Sequence, residues 1–360
     1  MITFLSRLMT AIMTIACVFG IFTNLLSLII YTKPTFRKKS INILLAALSA
    51  FDLCVCLLAI PVFASTQLQA WIPTYLTAMT MVYLYPFTIM FQSMSVWMLV
   101  SITIERYVAV CHPFMVTTYC SRNRALMTVS FVVIFSFAYN VVRFWEYQIN
   151  LENGTAIEDM VEPQLRSNPV FMLWYQNVLT MLSQFLLPLT VLFVLNAQVA
   201  KTIIRASEQR RELVASVKRE HSTAKMMIMV VIVFLVCYSF SFVLNIMEIF
   251  YSEIFQTSMG YLLNDINNVM VVVNSSSAFF FYFYFSTRFR NQAKTLPGIR
   301  WFVSWSKFNS YDTETTESHS RTLTTHYKES IISMKGSSTT RVGSAHNLLY
   351  SSSYRKPCDI

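Results

Sequence analysis

Glu105 and Arg106, adjacent and followed by Tyr107, close the third of seven long apolar stretches in this chain. An acid beside a base at membrane depth suits a switchable ion pair rather than bond making. Each ionisable group costs about 2.5–3.5 kcal/mol at mid-bilayer on insertion scales, so such residues persist where they have partners and a task. Asp52 is the one deep acid of the second stretch, while Ser95, Asn274 and Ser275 place neutral oxygens in the third and seventh. A further set of acids, Glu146, Glu248, Glu253 and Asp265, gathers toward the opposite ends with polar Gln92, Asn245, Asn264 and Asn268. Acidic walls in a low-dielectric cleft concentrate cationic ligands. The same acids would also arise simply because the loops on that side lack Lys and Arg.

The elements that must carry these groups follow from composition. The chain has 360 residues, 55% hydrophobic and 13% charged, with mean hydropathy +0.49. A soluble fold of that size carries more charge and shorter apolar runs. Crossing the hydrocarbon core takes about 20 apolar residues as helix. Stretches of that kind fall at 8–31, 41–65, 76–110, 124–145, 172–205, 216–250 and 257–285. The expectation is an all-α membrane protein, a seven-transmembrane helix bundle. Around 201–220, charges recur among Ile, Leu and Val, which reads as amphipathic helix leaving the membrane on both sides of a short loop.

Basic residues set the orientation. Lys33, Arg37, Lys38 and Lys39 follow the first stretch, and Arg122 and Arg124 the third; Lys201, Arg205, Arg210, Arg211, Lys218, Arg219 and Lys225 lie between the fifth and sixth. Arg288, Arg290 and Lys294 follow the seventh, whereas the alternate loops are acidic apart from Arg166. The N-terminus is therefore expected outside and the C-terminus in the cytoplasm, at the plasma membrane. Asn153-Gly154-Thr155, a glycosylation sequon, falls in an outward loop. Net charge +10 belongs to the inner face, where anionic membrane lipid and an acidic partner explain it better than nucleic acid does. No separable signal peptide is expected ahead of the first stretch, which should serve as its own insertion signal. The expected organisation is a short extracellular N-terminus at 1–7, the bundle at 8–285, an amphipathic juxtamembrane eighth helix at 286–297, and a Ser/Thr-rich disordered tail at 298–360.

The text around Glu105-Arg106-Tyr107, Ser101-Ile102-Thr103-Ile104 before and Val108-Ala109-Val110-Cys111-His112-Pro113 after, resembles the inner end of the third helix in rhodopsin-like (class A) G-protein-coupled receptors. Asn24, Asp52, Pro188 and Tyr282 fall in register with it. The stretch Asn140-Val141-Val142-Arg143-Phe144-Trp145-Glu146 resembles invertebrate FMRFamide-type receptors, as do Leu195-Asn196 and Val273-Asn274-Ser275-Ser276 followed by Phe279 and Tyr282. The resemblance implies a neuropeptide receptor, not an enzyme. An extracellular peptide ligand, a heterotrimeric G protein and arrestin are its implied partners.

The resemblance also implies roles. An activation switch would comprise Glu105, Arg106, Tyr107, Glu220, Tyr238 and Tyr282, with Glu220 locking Arg106 from the inner end of the sixth stretch. Alternatively, Glu220 only offsets Lys218 and Arg219. Asp52, Ser95, Asn274 and Ser275 would converge at mid-membrane, as a sodium site or as a hydrogen-bonded cluster without an ion. No other metal or cofactor is implied. Thr88, Gln92, Glu146, Asn245, Glu248, Asn264 and Asn268 would line the ligand site, with Glu146 and Glu248 as anchors for a ligand arginine. Thr88 stands where amine receptors keep an aspartate, and Val272 where opsins keep the retinal lysine, so neither ligand is expected.

Three departures matter. The disulfide usual in the family is missing at both partners, with Met81 at one of them and no Cys between Glu146 and Phe171. The sixth helix has Tyr238-Ser239-Phe240 and the seventh Ala278-Phe279 where the family keeps prolines and an Asn or Asp; no proline occurs between Pro188 and Pro297. Straighter sixth and seventh helices are expected, because proline kinks a helix by removing a hydrogen bond and crowding the turn before it. Two other readings stay open: a diverged receptor that binds without signalling, and a seven-helix channel or transporter. The latter would need repeats, interrupted helices or charges along a pathway.

Overall fold

A computed structural model describes residues 2–64, 72–150, 160–209, 215–255 and 257–295. Seven of its helices are long and apolar enough to cross a membrane. In hydrocarbon every backbone polar group must be satisfied within the segment, which helices achieve and open strands do not. They are α1 (Ile2–Thr32), α2 (Ser40–Ala59, extended by a π turn, Ile60–Ala64) and α3 (Thr74–Met79, a π turn Thr80–Leu84, then Tyr85–Cys111). α4 is Arg122–Asn140, ending in a 3-10 turn Val141–Trp145. α5 runs through Pro169–Phe171, two π stretches (Met172–Leu179 and Met181–Leu186) and Leu187–Gln209. α6 is Ala215–Phe250, α7 is Ser258–Phe285, and a short α8 is Thr287–Ala293.

Local sequence explains the helix starts. Ser121 accepts a hydrogen bond from the Arg124 backbone N–H at the head of α4. Asn168 accepts from Val170 and Phe171 N–H, with Pro169 as the first helical residue of α5; both arrangements satisfy donors the helix itself leaves free. The outward faces remain apolar: Phe131 and Ile134 on α4 are each 68% exposed, and Trp174 on α5 62%. In water that much exposed apolar surface would promote association; here it is the lipid-facing side.

The interior forms where α3, α5 and α6 meet, with Val96, Leu99, Phe185, Leu192, Phe234 and Tyr238 buried together. Against α1, the small residue Gly20 lets α7 and α2 approach so closely that a Cβ there would run into Ser276 Oγ and Cys56 Sγ. Lacking proline, α6 and α7 run through Tyr238 and Phe279 as uninterrupted α-helix. Phe279 instead fills the inner end of α7, edge-on to Phe289 at 5.7 Å and stacked on Phe283 at 5.8 Å.

Two expectations change. Helical structure begins at Ile2 rather than at 8, because Ile2, Phe4, Leu5 and Leu8 continue the apolar helix with no breaker between them. Second, the outer connection from α4 to α5 contains a small antiparallel pair, β1 (Tyr147–Ile149) and β2 (Val161–Pro163), in register Tyr147↔Pro163 and Ile149↔Val161. Glu162 staples it, accepting from Gln148 Nε2 and Asn150 Nδ2, each at 3.0 Å. Strands of three residues are too short for alternation to announce them. Asn153 and the tail at 298–360 lie outside the described residues. α8 is capped by Ser286 and buries Phe289 and Ala293, four apart on one face, under α1 and α7.

Candidate functional site

Between the outer halves of the helices lies a cavity of about 1260 Å³. Thr88 and Gln92 of α3, Asn245 and Glu248 of α6, and Asn264 and Asn268 of α7 all line it. Its walls include Val62, Met81, Gln176 and Gln184, all from the π-wound parts of α2, α3 and α5. π turns often mark functional sites. Here each falls on the outer half of its helix, where it helps to shape the cavity wall.

Glu146 is a correction. Expected as a ligand anchor, it does not line the cavity; it is 0% exposed and bound to Arg143 at 2.8 Å. The Arg143 fork is filled: Nε donates to Asn140 Oδ1 at 3.1 Å, Nη1 to Glu146 and to Gln176 Oε1 at 2.9 Å, and Nη2 to Thr180 Oγ1 at 3.3 Å. Its guanidinium also lies 5.4 Å from the Tyr175 ring centre. At three residues' separation across a helical turn, Arg143 and Glu146 face each other, so the acid spends its charge inside the protein. That i, i+3 pairing was the available signal in the sequence.

Glu248 does face the cavity, yet it also has a partner. Arg166, between β2 and α5, reaches Glu248 Oε1 at 3.4 Å and lies 5.7 Å from the Tyr147 ring centre. Burial pushes the Tyr147 phenol up to about 12, against the opposing pull of Arg166. Burial by itself would lower Arg166, but Tyr147, Tyr85 and Glu248 outweigh it and hold the guanidinium above its ordinary value. The backbone N–H groups of Gln164 and Arg166 both donate to the Glu146 carbonyl. Ionic, aromatic and main-chain contacts thus hold the outer connection where the usual disulfide is missing; the six described cysteines are free thiols.

At mid-membrane, Asp52 Oδ1 accepts from Ser95 Oγ at 2.6 Å, and the Ser275 hydroxyl bonds to the same carboxylate. Asn24 Nδ2 reaches the Ser275 carbonyl at 2.9 Å, tying in α1. Asn274 is not brought into this set: no hydrogen bond joins it to Asp52 among the described residues. One carboxylate and two hydroxyls are hard oxygen donors that suit a small cation.

At the inner end, Glu105 turns away from the bundle's centre and accepts from Ser40 Oγ, at the start of α2, at 2.6 Å. Arg106 Nε is buried with no hydrogen-bond partner among the described residues, and so is the Tyr282 hydroxyl. Tyr31, Tyr282 and Phe289 pack ring to ring beneath α8, at 5.7 Å for Tyr31–Tyr282 and 5.3 Å for Tyr31–Phe289. Tyr107 bonds His112 Nε2 at 3.2 Å and so belongs to the loop side of α3. Tyr238 sits far above, stacked on Phe234 at 4.3 Å and bonded to Gln92. The expected switch residues are therefore not one cluster: Arg106 and Tyr282 are neighbours, while Tyr107 and Tyr238 are elsewhere. The Glu220 side chain lies outside the described residues, although its backbone is part of α6.

Comparison with known proteins agrees with this geometry. The family model for the 7 transmembrane receptor (rhodopsin family) matches residues 23–282. The chain is 33% identical over 314 residues to the FMRFamide peptide receptor frpr-18 of Caenorhabditis elegans, covering 85% of this chain and 72% of that one. It is 32% identical over 289 residues to the FMRFamide receptor of Drosophila melanogaster, covering 78% of this chain and 52% of the fly protein. A shorter match, 28% over 138 residues, is to the thyrotropin-releasing hormone receptor of Homo sapiens, 38% of this chain and 34% of that one. Because the family match runs from α1 to the end of α7, this chain belongs to the rhodopsin family of seven-transmembrane, G-protein-coupled receptors.

Proposed function

We propose that the protein is a plasma-membrane receptor, N-terminus outside, for a short amidated neuropeptide carrying positive charge, and that it signals through a heterotrimeric G protein. The observation that carries the peptide reading is the cavity. At about 1260 Å³ it exceeds the roughly 300–1,000 Å³ typical of sites for single small molecules. Polar amides from four helices line it, which suits the backbone of a peptide, and Thr88 supplies no carboxylate for an amine. The names of the worm and fly relatives favour a peptide of the FMRFamide type.

Binding above and coupling below are linked as a shift in population. Turning a 1:99 mixture into 99:1 takes about 5.5 kcal/mol of preferential binding to the active form. Arg106, short of hydrogen bonds at the inner rim, is the group that gains a partner when a G-protein helix enters. The basic inner loops attract that partner and anionic lipid, and Ser/Thr residues of the tail recruit arrestin once phosphorylated. Sodium held by Asp52, Ser95 and Ser275 would favour the inactive form.

A binder with weak signalling is the second reading, favoured by one observation: α6 and α7 are uninterrupted where kinks would ease rearrangement. One experiment separates the readings. Cells expressing the chain are exposed to a library of amidated peptides, with peptide binding and calcium or cAMP followed together, in sodium and in choline medium. Binding with a second-messenger response supports the receptor; binding without one supports the weak signaller; neither sinks both. An agonist whose affinity ignores sodium in the parent, as in Asp52→Asn, removes the ion.

A further inference from the structure

The acids of the outer cavity are not equivalent. Glu146 has Arg143 and Glu248 has Arg166. Each pair presents a dipole to the cavity rather than a net charge. Asp265, on α7, lines the same cavity, and its recorded partner is a neutral one: Ser6 Oγ of α1 donates to Oδ2. An ionised carboxylate offers about four acceptor positions, so one hydroxyl leaves most of them open. No salt bridge to Asp265 occurs among the described residues. Of the two carboxylates that line the cavity, Glu248 is paired with Arg166, whereas Asp265 has no ion pair among the described residues.

Helical spacing places suitable company around it. Tyr261 precedes Asp265 by one turn and Asn268 follows by one turn, and both line the cavity on the same face of α7. A cation there would find a carboxylate, a side-chain amide and an aromatic ring within one helix face.

We propose that Asp265, rather than Glu146 or Glu248, is the residue that selects a positively charged ligand group. The inference rests on the reading of the cavity as a peptide site and names the residue that determines its charge preference. Glu248 is a positioning residue for the outer connection through Arg166.

The test is equilibrium binding to membranes of cells expressing the full chain, corrected for surface protein by an epitope tag. The probes are Phe-Met-Arg-Phe-amide, its N-acetyl form, its citrulline form lacking the guanidinium charge, and the peptide with both changes. Asp265→Asn is expected to weaken the parent peptide about 10- to 100-fold, and Asp265→Glu only a few-fold. The loss disappears with whichever singly neutral peptide lacks the group Asp265 holds, which tells a ligand ammonium from a ligand guanidinium. Ser6→Lys keeps the carboxylate but supplies an internal cation, so it reproduces the loss even if Asp265→Asn fails to reach the surface. Equal weakening of all four peptides by Asp265→Asn, or a greater selective loss at Glu248→Gln than at Asp265, overturns the assignment while leaving a peptide receptor. If wild-type membranes bind none of the four probes, the cavity reading for this peptide class falls, and the proposal with it.

Discussion

Arg143 and Arg106 stand at opposite ends of the bundle and are provided for in opposite ways. Arg143 is closed in by Glu146, Asn140, Gln176 and Thr180, with every nitrogen of its fork bonded. Arg106 has its buried Nε unbonded among the described residues, and Glu105 next to it accepts from Ser40. A guanidinium that has found its partners inside the fold is part of the scaffold. One held short of partners is available to something that arrives. The contrast makes the outer arginine part of the scaffold and fits the switching role proposed for the inner one, though the sequence marks only the inner pair as unusual.

The largest effect that would sharpen the contrast is at Arg143. Arg143→Met leaves Glu146 buried without a counter-charge, which costs about 3–5 kcal/mol. Low surface expression and a depressed Tm in detergent are expected, and Arg143→Met with Glu146→Leu should recover most of both, since removing a whole buried pair is often near neutral. If the double variant is as unstable as the single one, charge burial is not the reason.

Arg106→Ala should behave in reverse. Its stability should stay within about 1 kcal/mol of the parent's, since Arg106 makes no ion pair among the described residues, while agonist-stimulated nucleotide exchange falls more than about tenfold. Equal damage to Tm at Arg106 and Arg143 would break the comparison outright.

The smallest effect belongs to Arg166. Its pair with Glu248 is roughly a quarter exposed on each side, so Arg166→Gln should cost under ~1 kcal/mol. Its electrostatic trace is at Tyr147. Burial raises this phenol to about 12 while Arg166 lowers it, so Arg166→Gln should move its titration higher. Because the folded value lies above the unfolded one near 10, the contribution of Tyr147 to stability is full below that value and is lost as pH rises through about 12. Phenolate absorbance, taken as the difference from Tyr147→Phe, reports the shift; a downward move would show that Arg166 does not act on this ring.

Much of this was legible beforehand. Seven apolar stretches and the single acid Asp52 within the second of them follow from transfer energies that act residue by residue. Asp52 meets Ser95 and Ser275 because spacing along each helix already set their depth, whereas Asn274, one residue before Ser275, is rotated about 100° round α7 and misses the cluster. Glu146 misled for a related reason: depth and charge are visible in one dimension, but which acid already has an arginine is not. Ser6 fell within the short N-terminus expected at 1–7, because nothing in a local window shows that Asp265, far along the chain, would meet it.

By itself, then, the sequence determined the count of membrane helices, the position of each polar group along its helix and, through the absence of proline, the unbroken course of α6 and α7. Only the packing decided which charges cancel: among the described residues, Glu146 and Glu248 have ion pairs and Asp265 and Arg106 do not. The physical reason is that hydrophobicity adds along the chain, while Coulomb energy and hydrogen bonds depend on distances of a few ångströms between residues that only the tertiary structure brings together.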